Sequence, residues 1–238
     1  MFERARRKSR PLFWLLAILL LVWTWGCRGQ KASVSPGGMF RPQIKSVVVV
    51  GFLAAMSEGE TPDLVRNPIT GTSLMSQPVP QDVVRLLTGR LFDMLVSDGR
   101  WRLIPPGQAK GVIESILGSD AQVGISSLKM LQEVGNSLGA DAVLAGYVYR
   151  WQERIGTDFG VEQPASVAFD LSLVRPTDGA IIWRGSFDKT QRSLFENLFD
   201  VSTYIKSDGR WLTAEKLGMI GLEGLLGQMP GKPPKKEG

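Results

Sequence analysis

The run IKSVVVVGFLA, residues 44–54, is β-branched and almost unbroken in its apolar character. A strand that faces water on one side alternates apolar and polar residues, whereas one covered on both sides does not. The run therefore predicts a strand inside a sheet with a layer above and a layer below. Working outward, QDVVRLLTGRLFDMLVS (81–97) sets Val84, Leu87, Leu91 and Leu95 at helical spacing between Pro80 and Gly99, the usual start and stop. Trp101–Ile104 reads as a short strand closed by Pro105 and Pro106, and 107–117 as a weaker helix. A third helix at 127–138 carries Leu128, Leu131, Val134 and Leu138 in one stripe and stops at Gly139.

Three strands follow. AVLAGYVYRW (142–151) is the first; VAFDLSLV (167–174) and AIIWRGSF (180–187) form a hairpin across Pro176-Thr177-Asp178-Gly179. A final helix at 213–228 points Leu217, Ile220, Leu225 and Met229 inward. Its glycines at 218, 221, 224 and 227 either pack closely on a neighbour or simply loosen the helix. The order β-α-β-α-α-β-β-β-α predicts an α/β fold, a mixed sheet with helices packed on it. Residues 55–79, with Pro62, Pro68, Gly71 and Pro78, read as a long loop, and loops of that length are commonly functional.

With 43% hydrophobic and 21% charged residues the composition is that of a globular chain. The net charge of +5 belongs mostly to Arg4, Arg6, Arg7, Lys8 and Arg10, so the segment from Cys27 onward is near neutral and no nucleic-acid partner is implied. One cysteine and no histidine exclude an internal disulfide, most zinc and copper sites, and the commonest general base. No GxGxxG or GK[ST] loop follows any strand, so no cofactor is expected and an enzyme is disfavoured. Asp170 lies among apolar neighbours in a strand; its expected place is solvent, on an uncovered sheet face. Asp141, at the mouth of a strand, suits a turn or cap. Simple alternation puts Tyr147, Tyr149 and Trp151 on one strand face, a candidate partner-binding strip or a face packed under a helix.

The leader is basic to Arg10, then apolar over PLFWLLAILLLVWTW (11–25), then Gly26-Cys27. At about 15 residues the apolar run fits a signal peptide better than the roughly 20 of a membrane span. Gly26-Cys27 resembles the end of the bacterial lipoprotein signal, although Thr24 and Trp25 depart from its usual Leu and small residue. That resemblance implies cleavage and acylation of Cys27 (palmitate among the acyl groups) and a lipid anchor in the membrane. Arg28, in place of the Asp that retains many such proteins in the inner membrane, points to the outer membrane facing the periplasm. An uncleaved anchor is the alternative, and it too places the domain beyond the inner membrane. The division is then 1–27 signal peptide, 28–43 flexible tether, 44–229 α/β domain and 230–238 basic tail.

Across 44–229 the motifs VVVVGF (47–52), SDGRWRLI (97–104), LGADAVLAGYV (138–148) and TDGAIIWRGSF (177–187) resemble, in order and spacing, one group of envelope proteins. The group comprises the lipoproteins that activate peptidoglycan synthases, the curli-secretion lipoprotein and the amino-terminal domain of the Tol propeller protein. The tether, some 16 residues reaching about 55 Å at most, is too short to cross the cell-wall layer as synthase activators do. Gln152–Ser166 is too short and polar to donate two membrane strands of about 9–11 residues each. The resemblance thus implies the fold and a non-catalytic, protein-binding assembly role, with an unidentified envelope protein as partner. A subunit of an oligomeric secretion or transport complex, a homo-oligomer included, and a cell-wall glycan-binding module or enzyme are the alternatives.

Overall fold

The structure, a computed structural model, describes residues 44–118, 125–157, 160–191 and 211–231. The signal peptide, Cys27, the tether and all of the basic tail beyond Gly231 lie outside the described residues. The elements are β1 (Ser46–Ala54), β2 (Asp63–Arg66), β3 (Ser73–Ser76), α1 (Gln81–Asp98), β4 (Arg102–Ile104), α2 (Pro106–Leu117) and α3 (Ser127–Ser137). They continue with β5 (Ala142–Gln152), β6 (Ile155–Gly156), β7 (Val161–Gln163), β8 (Ser166–Val174), β9 (Ile181–Thr190) and α4 (Ala214–Leu226). Five strands form one mixed sheet in the order β4-β1-β5-β8-β9. β1 runs parallel to β4 and β5, and β8 and β9 continue antiparallel. The mixed α/β fold is as expected. The 55–79 segment, read as a loop, instead contains the β2–β3 hairpin. Its strands have only four residues each and little apolar alternation, so periodicity could not show them.

β1 is buried toward both layers. Val47 and Val49 join a core with Leu87, Leu91 and Leu95 of α1 and Leu217, Leu222 and Leu225 of α4. Val48 joins Ile104, Ala109 of α2, and Leu131 and Val134 of α3 on the other face. Each fully buried leucine contributes about 2 kcal/mol. Among the four α4 glycines, two permit close approach: a Cβ on Gly218 would lie 2.8 Å from Trp151, and one on Gly221 2.6 Å from Phe187. Among the described residues no helix is long and apolar enough to cross a membrane.

One irregularity in β1 matters. Val49 pairs with Leu144 and Gly51 with Ala145, so Val50 is the extra residue of a β-bulge. Gly51 has φ +90°, and a Cβ there would sit 2.3 Å from Thr88 Cγ2 of α1. Thr88 Oγ1 accepts the Phe52 amide at 2.9 Å, a donor inside the bulged stretch. The bulge turns Phe52 into the α1–α4 core, where its ring meets Phe169 edge-on at 5.6 Å.

The SDGRW turn has an equally specific purpose. Arg100, its side chain 3% exposed, ion-pairs with Asp98. It donates to the carbonyls of Leu226 (3.1 Å) and Met229 (3.1 Å) and lies 5.1 Å over the Trp101 ring. The last turn of α4 has no basic residue of its own. Arg100 supplies that charge from across the fold and satisfies carbonyls that a helix end leaves unpaired.

R100A should lower stability by about 3 kcal/mol, because it leaves buried carbonyls and a carboxylate unpaired. R100K should recover less than half of that, since an ammonium lacks the guanidinium fork. Urea unfolding of the variants measures both. G51A should cost about 2 kcal/mol through strain and the Thr88 clash. G224A, whose Cβ would meet nothing within 4 Å on the exposed side of α4, should stabilise by about 0.5–1 kcal/mol.

Candidate functional site

The predicted strip of Tyr147, Tyr149 and Trp151 does not share a face. Val148 pairs with Phe169 and Arg150 with Ala168, leaving Tyr149 as the extra residue of a second bulge. One inserted residue reverses the facing of everything after it. Trp151 therefore packs on the α1–α4 core, against Gly218. Tyr147 and Tyr149 stay on the opposite face, where Tyr149 is fully buried and Tyr147 half-buried.

What gathers there is a polar cluster around Asp170. The α2–α3 core reaches β8 only at Val174, so the middle of that β8 face lies beyond the apolar cover of these helices. Its residues are Ser166, Ala168, Asp170 and Ser172, all buried. Asp170, expected in solvent, is 5% exposed. Its Oδ2 accepts from the Tyr149 hydroxyl at 2.8 Å and from Asn67 Nδ2 at 2.7 Å. Its Oδ1 accepts from the Tyr147 amide at 3.2 Å. Asn67 Nδ2 also donates to the Tyr149 hydroxyl at 2.8 Å, which uses both its hydrogens. Burial pushes the Asp170 carboxyl above the usual carboxylate range, against the three hydrogen bonds that favour its charge. Burial and the neighbouring Asp170 charge raise the Tyr149 hydroxyl in turn.

Asn67 is the residue that sequence reasoning missed. It opens the turn Asn67-Pro68-Ile69-Thr70-Gly71 between β2 and β3. Its Oδ1 accepts from the amides of Ile69 (2.6 Å) and Thr70 (2.8 Å), and its own amide donates to the Thr72 carbonyl (2.7 Å). The signal was the Asn-Pro-x-x-Gly spacing, which marks a tight turn with an Asx bond. Asn67 thus builds the turn with its oxygen and anchors it to the sheet with its nitrogen. A second tie is the Gln77 amide, which donates to the Tyr149 carbonyl at 2.7 Å.

The hairpin held this way presents apolar surface. Leu64 and Met75 are cross-strand partners and are 58% and 56% exposed. The loop before them carries the exposed carboxylates of Glu58, Glu60 and Asp63. Among the described residues no metal-binding group of His, Cys, Asp and Glu comes together. Ser126 and Lys129, which stand at Ser-x-x-Lys spacing, are engaged otherwise. Ser126 Oγ caps α3 by accepting the Lys129 amide (3.3 Å), and Lys129 Nζ pairs with Glu133 (2.8 Å). Asp141 takes the structural role expected of it. Its Oδ2 accepts from the amides of Lys45 and Ser46 (each 2.9 Å), and these bonds hold its pKa below the ordinary value.

N67A should free the hairpin: amides of 63–76 exchange faster by hydrogen–deuterium mass spectrometry while those of the five-stranded sheet do not. Because the folded pKa of Asp170 is raised, its contribution to stability is full below the ordinary carboxylate pKa. That contribution is lost as pH rises through the raised value. D170N should remove this alkaline-going decline from a plot of urea midpoint against pH.

No family model matches the chain, and no curated protein matches it. Solved structures do. The PelC dodecamer of Paraburkholderia phytofirmans (L103M form) is similar over 85% of this chain and 99% of that one, with 13% identity and TM-score 0.47. Lipoprotein GNA1162 of Neisseria meningitidis covers 68% of this chain and 92% of its own, with 15% identity and TM-score 0.41. The LpoB C-terminal domain of Salmonella enterica covers 62% and 83%, with 17% identity and TM-score 0.37. These neighbours are of the kind that the sequence resemblance to envelope lipoproteins named.

Proposed function

We propose that this chain is an envelope lipoprotein, anchored through an acylated Cys27, whose domain binds a protein partner and catalyses no reaction. The anchor reading rests on the basic leader, the short apolar run and Gly26-Cys27. The outer membrane, facing the periplasm, is its proposed place. The observation that carries the binding role is the β2–β3 hairpin. Its two four-residue strands show paired, exposed Leu64 and Met75 and are tied to the sheet by a buried carboxylate. An isolated two-stranded hairpin is marginal in water, and a buried charge is costly even when hydrogen-bonded. A fold that carries that cost to fix an exposed apolar pair gains a rigid contact surface, since order is already present before binding.

Within this reading Tyr147 and Tyr149 support the contact surface from beneath, and Trp151 packs under α4. A second copy of the chain on the same hairpin would give the oligomeric alternative. The test is affinity capture of the full chain from detergent-solubilised envelope, compared with L64E/M75E. The expected result is a protein that co-purifies and cross-links to 60–76 with the wild type and is lost with the variant. Retention of peptidoglycan instead, or equal capture by the variant, overturns the reading. Intact-mass measurement of the membrane form should show a diacylglycerol-sized addition on Cys27, and a retained leader would overturn the anchor.

A further inference from the structure

We propose that the end of the domain where β1 begins faces an anionic lipid headgroup layer, held there by cations at the entry and exit of the folded domain. The proposal rests on the lipid-anchor reading and adds an orientation to it. At this end the Arg102 amide donates to the Lys45 carbonyl at 2.8 Å, so the two cationic residues stand side by side, both exposed. The carboxylates around them are engaged within the domain. Asp98 pairs with Arg100, and Asp178 with Arg175 at 2.9 Å. Asp141 accepts the Lys45 and Ser46 amides and the Ser46 hydroxyl, at 2.9–3.0 Å. Lys45 and Arg102 form no ion pair among the described residues.

The Arg100 clamp brings the other end of the domain to the same place, because its guanidinium binds the carbonyls of Leu226, Met229 and Pro230. The residues that follow read KPPKKEG, with Lys232, Lys235 and Lys236 against Glu237. Residues 28–43, which lead into Ile44, hold Arg28, Lys31 and Arg41 and no carboxylate. Beyond the far end of β1 the sign reverses. Residues 55–65 hold Glu58, Glu60 and Asp63, all exposed, and no cation. Charge is thus sorted along β1. Nine residues of strand span about 30 Å, several times the screening length of about 8 Å at physiological salt. An anionic surface therefore attracts the one end and scarcely feels the other.

The test uses the full acylated chain on vesicles of phosphatidylcholine alone or mixed with phosphatidylglycerol, probed with an amine-reactive label. Lys45, Lys232, Lys235 and Lys236 should label several-fold more slowly on the anionic vesicles. Lys110 and Lys129, exposed on α2 and α3, serve as internal controls and should not change. High salt should restore the labelling. K45Q/R102Q should weaken the protection of the three tail lysines while the chain still floats with the vesicles. Equal labelling on both lipids, with the chain still floating, overturns the orientation and leaves the anchor standing. A chain that floats with neither vesicle overturns the anchor itself, and the proposal with it.

Discussion

An ionisable side chain in the middle of a fully buried strand has to find partners, and Asp170 sets the terms for this domain. β8 is buried at all nine positions. On its α1–α4 face Val167, Phe169, Leu171 and Leu173 fill an ordinary apolar core. On the other face the sheet meets polar cover in place of apolar helix. The Tyr149 bulge and the Asn67 turn both converge on the carboxylate. Without the carboxylate, a buried tyrosine hydroxyl and a buried carboxamide would lose an acceptor. The bulge, the turn and the hairpin's seat therefore form one linked arrangement.

The two bulges act in opposite directions on the two cores. At Val50 the extra residue brings Phe52 into the α1–α4 core and lets Thr88 close on the glycine beside it. At Tyr149 it sends Trp151 to α4 and retains the tyrosine hydroxyl for the polar side. The α4 glycines complete the accommodation, since Gly218 and Gly221 leave room for the aromatic rings of Trp151 and Phe187. At the other end of the sheet Arg100 joins the α1–β4 turn to the C-terminal turn of α4, and Asp141 joins β5 to the first residues of β1.

The large elements were legible because each rests on a local signal. The unbroken run of β1, the stripe of α1 between Pro80 and Gly99, and the Thr-Asp-Gly turn of the β8–β9 hairpin require no knowledge of tertiary contacts. The site was not legible, for a physical reason. Strand alternation assumes regular pairing, and neither bulge has a local signature strong enough to announce it, although Gly51 marks one in retrospect. The burial of Asp170 depends on where two helices stop, and the role of Asn67 on a strand about a hundred residues away. Asp141 was legible as a cap because its position at a strand mouth is itself local.

The Arg100 clamp has a consequence in time. α4 is synthesised last among the described helices, yet it covers a core that β1 and α1 begin. Until residues 214–229 arrive, the apolar side chains of β5, β8 and β9 on that face have only α1 above them. The closing contacts join residue 100 to residues 226–230, so they form only once nearly the whole domain is present. Such long-range closure is slow compared with local helix formation. A nascent or truncated chain would thus spend its waiting period with an open apolar sheet face, the interval in which partly folded domains aggregate.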